Sequence, residues 1–202
     1  MYHQYEEGWI EVICGCMFAG KTEELIRRIT VFQYAKKNIM VFKPHIDNRY
    51  SGDEIVTHLG VRVPCITVKD SVEILEHIDD SVEVVIIDEV QFLDRKIIDI
   101  CEYLADKGIR VTVAGLDQDF RGECFPVMGE LLSKAEFISK LTAVCAVCGA
   151  PATRTQRLIN GKPAKFSDAV ILVGSVSQYE PRCRHCHEVV EKPPKVVDNK
   201  RK

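Results

Sequence analysis

The chain lacks a surplus of either charge. Its 27 Lys and Arg stand against 30 Asp and Glu, a formal net charge of −3 over 202 residues. That balance leaves no electrostatic footprint for nucleic-acid phosphates, and no nucleic-acid partner is expected. No apolar run approaches the ~20 residues of a membrane span, so no membrane association is expected either. The first residues carry Glu6 and Glu7 and lack the charged-then-apolar order of an export signal, which points to the cytoplasm. Repeats and low-complexity tracts are missing too, which excludes solenoids and arrays. What remains is enough for a proper core, since 46 % of residues are hydrophobic. The length suits one α/β domain with a small appendage.

Cysteine is plentiful by contrast. Nine is an odd count. Without an export signal, it reads as thiols or metal ligands in a reducing compartment and not as a disulfide framework.

Gly15-Cys16-Met17-Phe18-Ala19-Gly20-Lys21-Thr22 matches the phosphate-binding pattern G-x-x-x-x-G-K-[ST] at every fixed position. The preceding Trp9–Cys14 reads as a strand and the residues from Glu23 onward as a helix, with Leu25, Ile29 and Phe32 at helical spacing. Gly15 and Gly20 permit backbone angles that turn successive N–H groups toward one anion. The positive end of the following helix points at the same place. Lys21 would reach the β- and γ-phosphates of a nucleoside triphosphate such as ATP, and the Thr22 hydroxyl would ligate Mg²⁺.

Further on, Ile39–Phe42, Val63–Val68, Val84–Ile87 and Ile109–Ala114 read as strands. A short helix containing Val72, Ile74 and Leu75 is capped by Asp70 or by Ser71 beside it. A longer one shows Ile97, Cys101, Leu104 and Ala105 on one side and stops at Gly108. Alternating strands and helices predict a parallel sheet with helices on both faces. The polar stretch from Pro44 to Gly60 is long for a connection inside such a domain, so it is either functional or mobile. The strand Val84–Ile87 ends in Asp88-Glu89, at the sheet edge where ligands of open α/β sheets bind. Asp88 is in place for Mg²⁺. Glu89 can point toward the γ-phosphate and take a proton from an attacking hydroxyl or orient water. The bland alternative is a surface acidic pair after a strand.

Near residue 141 the character changes to short β-like runs, polar turns and paired cysteines, and we expect a boundary there: residues 1–140, 141–192, and a charged tail, 193–202. Cys145, Cys148, Cys183 and Cys186 form two C-x-x-C knuckles with 34 residues between them. Four thiolates close a tetrahedral Zn²⁺ shell of the structural kind, stabilising a segment too small for its own core. Two redox dithiols are the competing reading, and His185 or His187 is an alternative ligand. Leu116, Phe120 and Phe125, after Ile109–Ala114, either line a flat apolar slot or fold back on the core. Arg121 either holds phosphate charge or pairs with a loop carboxylate. The run Val170-Ile171-Leu172-Val173-Gly174, before Tyr179, reads as a strand and turn.

Taken together these motifs resemble one family. The phosphate loop, Asp88-Glu89-Val90-Gln91-Phe92, Gly115-Leu116-Asp117 with Asp119-Phe120-Arg121-Gly122, Lys140–Cys145 and Tyr179–Cys183 are similar to the zinc-containing (type II) thymidine kinases, from Trp9 to about Glu188. The resemblance implies an α/β fold built on a P-loop, RecA-like parallel sheet, plus a zinc-ribbon β domain whose 157–170 loop closes as a lasso. It implies ATP-dependent phosphorylation of the thymidine 5′-hydroxyl, with deoxyuridine as a further acceptor. Glu89 is then the base, and Gln91 joins the phosphate loop and Asp88 at the nucleotide. The nucleoside pocket draws on Met17, Phe92, Leu116, Phe120, Arg121, Phe125, Thr155, Val170–Gly174 and Tyr179. A homotetramer inhibited by thymidine triphosphate is implied as well. Cys16 departs from the family's usual proline or serine, Cys124 from its usual proline, and Ala19 from its serine. An ATPase module acting on nucleic acid through the ribbon is the alternative, and the missing basic face argues against it.

Overall fold

A computed structural model describes residues 8–45, 54–56, 60–171 and 178–194. Six strands form one sheet: β1 (Trp9–Cys14), β2 (Ile39–Pro44), β5 (Ile66–Val68), β6 (Val84–Ile87), β7 (Arg110–Gly115) and β8 (Phe137–Lys140). Their order is β5-β2-β6-β7-β1-β8 and every pairing is parallel. Helix α1 (Lys21–Tyr34) covers one face. The other carries the short α2 (Glu73–Glu76), α3 (Lys96–Asp106) and α4 (Pro126–Lys134). This is the α/β arrangement with helices on both faces that the alternation predicts.

The two-residue period of the strands assigns each face. Ile10, Val12 and Cys14 of β1 join Phe42, Val85, Ile87, Val111 and Val113 against Ile97, Cys101 and Leu104 of α3. The intervening Ile13, Val41, Val84, Ile86 and Ala114 meet Leu25, Ile29 and Phe32 of α1. Fully burying an aliphatic side chain of this size stabilises by about 1.5–3 kcal/mol, which ties α1 and α3 firmly to the sheet. Glu11, also on the α1 face, is buried and receives Arg28 Nε and Nη2 at 2.8 and 2.6 Å. Arg28 also pairs with Glu24. The carboxylate under α1 is therefore neutralised, as a buried charge must be.

Several boundaries differ from expectation for local reasons. Helix α1 starts at Lys21, directly after left-handed Gly20. Val63–Val68 is not one strand. Arg62–Pro64 (β4) turns back to pair antiparallel with Glu54–Val56 (β3), while Ile66–Val68 joins the main sheet. Pro64 has no N–H to continue a ladder, which suits a break at that point. Part of the Pro44–Gly60 stretch is thus a hairpin strand; residues 46–53 and 57–59 lie outside the described residues. Asp70 leads into the short helix, its Oδ1 accepting the Val72 and Glu73 N–H groups at 2.9 and 3.2 Å, while the Ser71 hydroxyl turns to the Asp94 carbonyl; the N-cap position itself is Val72. Gly108 closes α3 with φ +85°.

After β8 the chain builds small antiparallel units. Ala143–Val144 (β9) pairs with Pro151–Ala152 (β10), and Arg154–Ile159 (β11) lies between Lys162–Pro163 (β12) and Gln178–Arg182 (β13). Both cysteine knuckles sit at the ends of these strands.

Candidate active site

The carboxyl ends of β1, β6, β7 and β2 converge on one cavity of about 240 Å³. Its wall on the β1 side is the loop that enters α1. Gly15 has φ +149°, and a Cβ there would sit 2.6 Å from the Leu141 carbonyl oxygen. Gly20 has φ +82°. Both positions therefore require glycine, and between them the chain turns tightly enough to start α1 at Lys21. Lys21 is buried and its Nζ donates to the Cys16 carbonyl at 3.0 Å. The Thr22 hydroxyl donates to Asp88 Oδ2 at 3.3 Å. A hydroxyl and a carboxylate facing each other across the cavity form a hard-oxygen pair suited to Mg²⁺.

Glu89 follows Asp88 with a left-handed backbone, φ 51° and ψ 37°. Such a conformation costs a non-glycine residue about 1–2 kcal/mol; here the Glu89 N–H donates to Asp88 Oδ1 at 2.9 Å. The turn swings the Glu89 carboxylate onto the cavity wall beside Lys21, Thr22 and Leu116. Gln91 Nε2 donates to Glu89 Oε2 at 2.5 Å, and Gln91 Oε1 accepts the Leu116 N–H at 3.0 Å. Gln91 itself is buried. Its amide therefore links Glu89, just after β6, to Leu116, just after β7, inside the protein.

Gly115 makes room for that amide, because a Cβ there would run into Gln91 Oε1 and come within 3.0 Å of Met128 Sδ. We expect Gly115→Ala to destabilise by about 1–3 kcal/mol, the usual cost of overpacking. It should also lower turnover, because Gln91 must move and Glu89 with it. Thermal melting alongside steady-state kinetics checks both.

The expected nucleoside residues are spread more widely. Met17 and Leu116 line the cavity. Thr155, buried on β11, accepts the Met17 N–H at 3.0 Å. Phe120 is buried with the Arg157 guanidinium 5.2 Å from its ring centre. Phe92 and Phe125 meet edge-on, centroids 6.3 Å apart, with Phe125 packed against the core. Arg121 takes the second of its two readings: Nε and Nη2 both lie 2.7 Å from Asp119 Oδ2, and the guanidinium stacks over Phe166 at 5.2 Å. That cation stiffens its own loop. Tyr179 stands opposite Arg157 across the β11–β13 ladder. Ile171 is exposed, and Arg157 Nη1 holds the Ala169 carbonyl just ahead of Val170 at 2.6 Å. Leu172, Val173 and Gly174 lie outside the described residues.

Two parts of the cavity were not singled out from the sequence. Lys43 closes it on the β2 side, and the Glu54–Val56 strand lies over it. The length of the polar stretch after Pro44 was the available signal for the strand. Nothing local marked the lysine.

Cys145, Cys148, Cys183 and Cys186 come together with all four Sγ atoms within 4.8 Å of one another. Cys148 and Cys183 are 3.7 Å apart. A tetrahedral Zn²⁺ with Zn–S bonds of ~2.3 Å places its sulfurs about 3.8 Å apart, so the cluster fits the ion. The four thiols form one cluster and not two separate pairs, which favours the metal reading over two redox dithiols. His187 is engaged elsewhere, its Nε2 2.8 Å from the Phe120 carbonyl, and the cluster contains cysteine alone. Backbone N–H groups, that of Cys183 first, pull the Cys145 thiol down to about 6, toward the thiolate a metal takes. The knuckles pack directly on the phosphate loop: Cys16, Ala143, Cys145, Ala152 and Cys183 form one small apolar cluster. Cys16 is thereby explained, since its Sγ donates to the Ala152 carbonyl at 3.4 Å and burial pushes its thiol up, away from reactivity. Cys124 is exposed, and nothing in its surroundings accounts for it.

A model of the thymidine kinase family matches residues 8–187, and the all-cysteine cluster agrees with the zinc-containing type of that family. With the phosphate loop, the acidic strand end and the ribbon each inside the matched span, the chain belongs to the thymidine kinase family, whose members phosphorylate thymidine at the expense of ATP.

Proposed function

We propose that this cavity is where the phosphoryl group passes from ATP to the 5′-hydroxyl of thymidine, with Glu89 as the general base. The observation that carries the reading is the placement of Glu89, held by Gln91, on the same wall as Lys21 and Thr22. Backbone N–H groups from Gly15 to Thr22 cradle the triphosphate, and Lys21 exchanges the Cys16 carbonyl for phosphate oxygens. Mg²⁺, when bound by Thr22 and Asp88, supplies charge that offsets the build-up on the β- and γ-oxygens. The nucleoside oxygen forms a bond to the γ-phosphorus as the bond to the bridging oxygen breaks. Glu89 takes the hydroxyl proton, and ADP leaves. Gln91 aims the carboxylate and does not touch substrate. Phosphoryl transfer depends chiefly on such positioning.

Met17, Leu116, Phe120, Phe125, Thr155 and Tyr179 would surround the base, with Val170–Gly174 offering backbone groups along its edge. Zn²⁺ on the four thiolates is structural, because a closed shell leaves no position for catalysis. Among the described residues no helix is long and apolar enough to cross a membrane. The reading extends to a homotetramer, cytoplasmic location and inhibition by thymidine triphosphate.

A coupled assay with ATP, Mg²⁺ and a panel of nucleosides tests this. Thymidine should be phosphorylated, and deoxyuridine more weakly, since one methyl group is worth about 1–3 kcal/mol. Deoxycytidine, which presents an acceptor where thymine has its N3–H donor, and purine nucleosides should be poor. A protein inert toward every pyrimidine nucleoside would overturn the proposal.

A further inference from the structure

Arg157 is 0 % exposed and is the bulkiest side chain so enclosed among the described residues. A buried guanidinium ordinarily faces a carboxylate. Arg28 does so with Glu11 and Glu24, and Arg121 with Asp119. Among the described residues no carboxylate pairs with Arg157. Its Nη1 donates to the Ala169 carbonyl at 2.6 Å, while Nε and Nη2 are buried without an acceptor.

Its place in the fold is specific. Alternation along β11 puts Arg157 on the same face as Thr155, which accepts the Met17 N–H, so this face looks toward the phosphate loop. The guanidinium stands 5.2 Å from the centre of the Phe120 ring, and that of Arg121 stands 6.0 Å from the same centre. Ala169, at the end of the Nη1 bond, leads directly into Val170. One side chain therefore touches both an aromatic ring and a stretch of backbone expected around the base. A planar charged fork can lie against a ring and hold a carbonyl at once. Folding alone does not call for it. Unspent donors on a buried cation cost stability, and an apolar chain of similar volume serves a core as well or better. Ala169 is exposed, so water can take the place of Nη1 on its carbonyl. A costly group held beside a binding site is the mark of one kept for function.

We propose that Arg157 is a positioning residue for the nucleoside: through the Phe120 ring and the Ala169 carbonyl it sets two of the walls that flank the base. This rests on the reading of the cavity given above.

The test compares Arg157→Met, which removes the charge and its donors but keeps an unbranched chain, with Arg157→Lys. The melting temperature of Arg157→Met should equal or exceed that of the unmodified enzyme, because an unpaired buried charge has gone. Its kcat/KM for thymidine should nonetheless fall about 10- to 100-fold, the scale of a small misplacement of substrate. The loss should lie chiefly in the KM for thymidine, with the KM for ATP unchanged. Arg157→Lys keeps a cation for the ring and one donor for the carbonyl, and should regain part of the thymidine KM. Combined with Phe120→Leu, Arg157→Met should cost less than the sum of the two single changes, since it acts through that ring. A lower melting temperature, an unchanged thymidine KM, an equal rise for both substrates or strictly additive effects would each make Arg157 part of the scaffold alone and overturn the inference. Absence of thymidine phosphorylation in the unmodified enzyme would instead strike the functional reading, while calorimetry with thymidine still reads the loss of binding in Arg157→Met.

Discussion

Glu89→Gln is expected to lower kcat by roughly 10²–10⁴-fold, the usual reach of a general base, while ATP still binds. Glutamine is nearly isosteric, so the left-handed turn at residue 89 survives, and so does the bond from its own N–H to Asp88 Oδ1. The phosphate contacts come from the loop and Lys21, which the substitution does not touch. What disappears is a carboxylate able to receive the proton of the 5′-hydroxyl. The neutral amide also presents an N–H or a carbonyl to Gln91, so one rotamer keeps the Gln91 bond that now runs to Glu89 Oε2. Loss of turnover with intact nucleotide affinity, measured by rapid-quench kinetics and by calorimetry with a nonhydrolysable triphosphate, is the expected signature. Turnover close to that of the unmodified enzyme would remove Glu89 from the role.

The other large effect is expected from Cys183→Ser. Cys183 is buried within the cluster, and a serine hydroxyl is a poor replacement for a soft thiolate. Structural Zn²⁺ contributes on the order of 10–16 kcal/mol to the folding of such sites, comparable with the whole stability of an ordinary domain at about 5–15 kcal/mol. The segment around the knuckles should therefore lose its metal and its fold together. The damage should reach the nucleotide, since Ala152 and Thr155 hold Cys16 and the Met17 N–H. We expect metal analysis to show zinc absent, limited proteolysis to cut between the knuckles, and thymidine phosphorylation to fail. Retention of full metal content and an unchanged melting temperature would refute a ligand role for Cys183.

What could be read from the residues divides along a physical line. The phosphate loop, the acidic strand end and the cysteine pairs depend on spacing within a few residues, and spacing is visible in a sequence. The strands β1, β2, β6 and β7 were visible as apolar runs, but which of their residues meet α1 and which meet α3 was not, because a strand buried on both faces shows no polar alternation. The place of Lys43 on the cavity wall was hidden, because it depends on β2 lying beside β6, a fact of strand order that no local pattern encodes. The bridge that the Gln91 amide makes between Glu89 and Leu116 was not visible either, because only the packed sheet brings those two residues together. Arg121 had two chemically reasonable partners, and the choice of Asp119 depended on how the loop folds. The single strand expected at Val63–Val68 overlooked what Pro64 does to a ladder.

The bond from Met17 to Thr155 joins residues 138 positions apart. A nascent chain that has emerged only as far as the large sheet carries the phosphate loop without its brace. Grip on nucleotide is therefore among the last properties acquired during synthesis, and a chain released early is left with an unsupported loop.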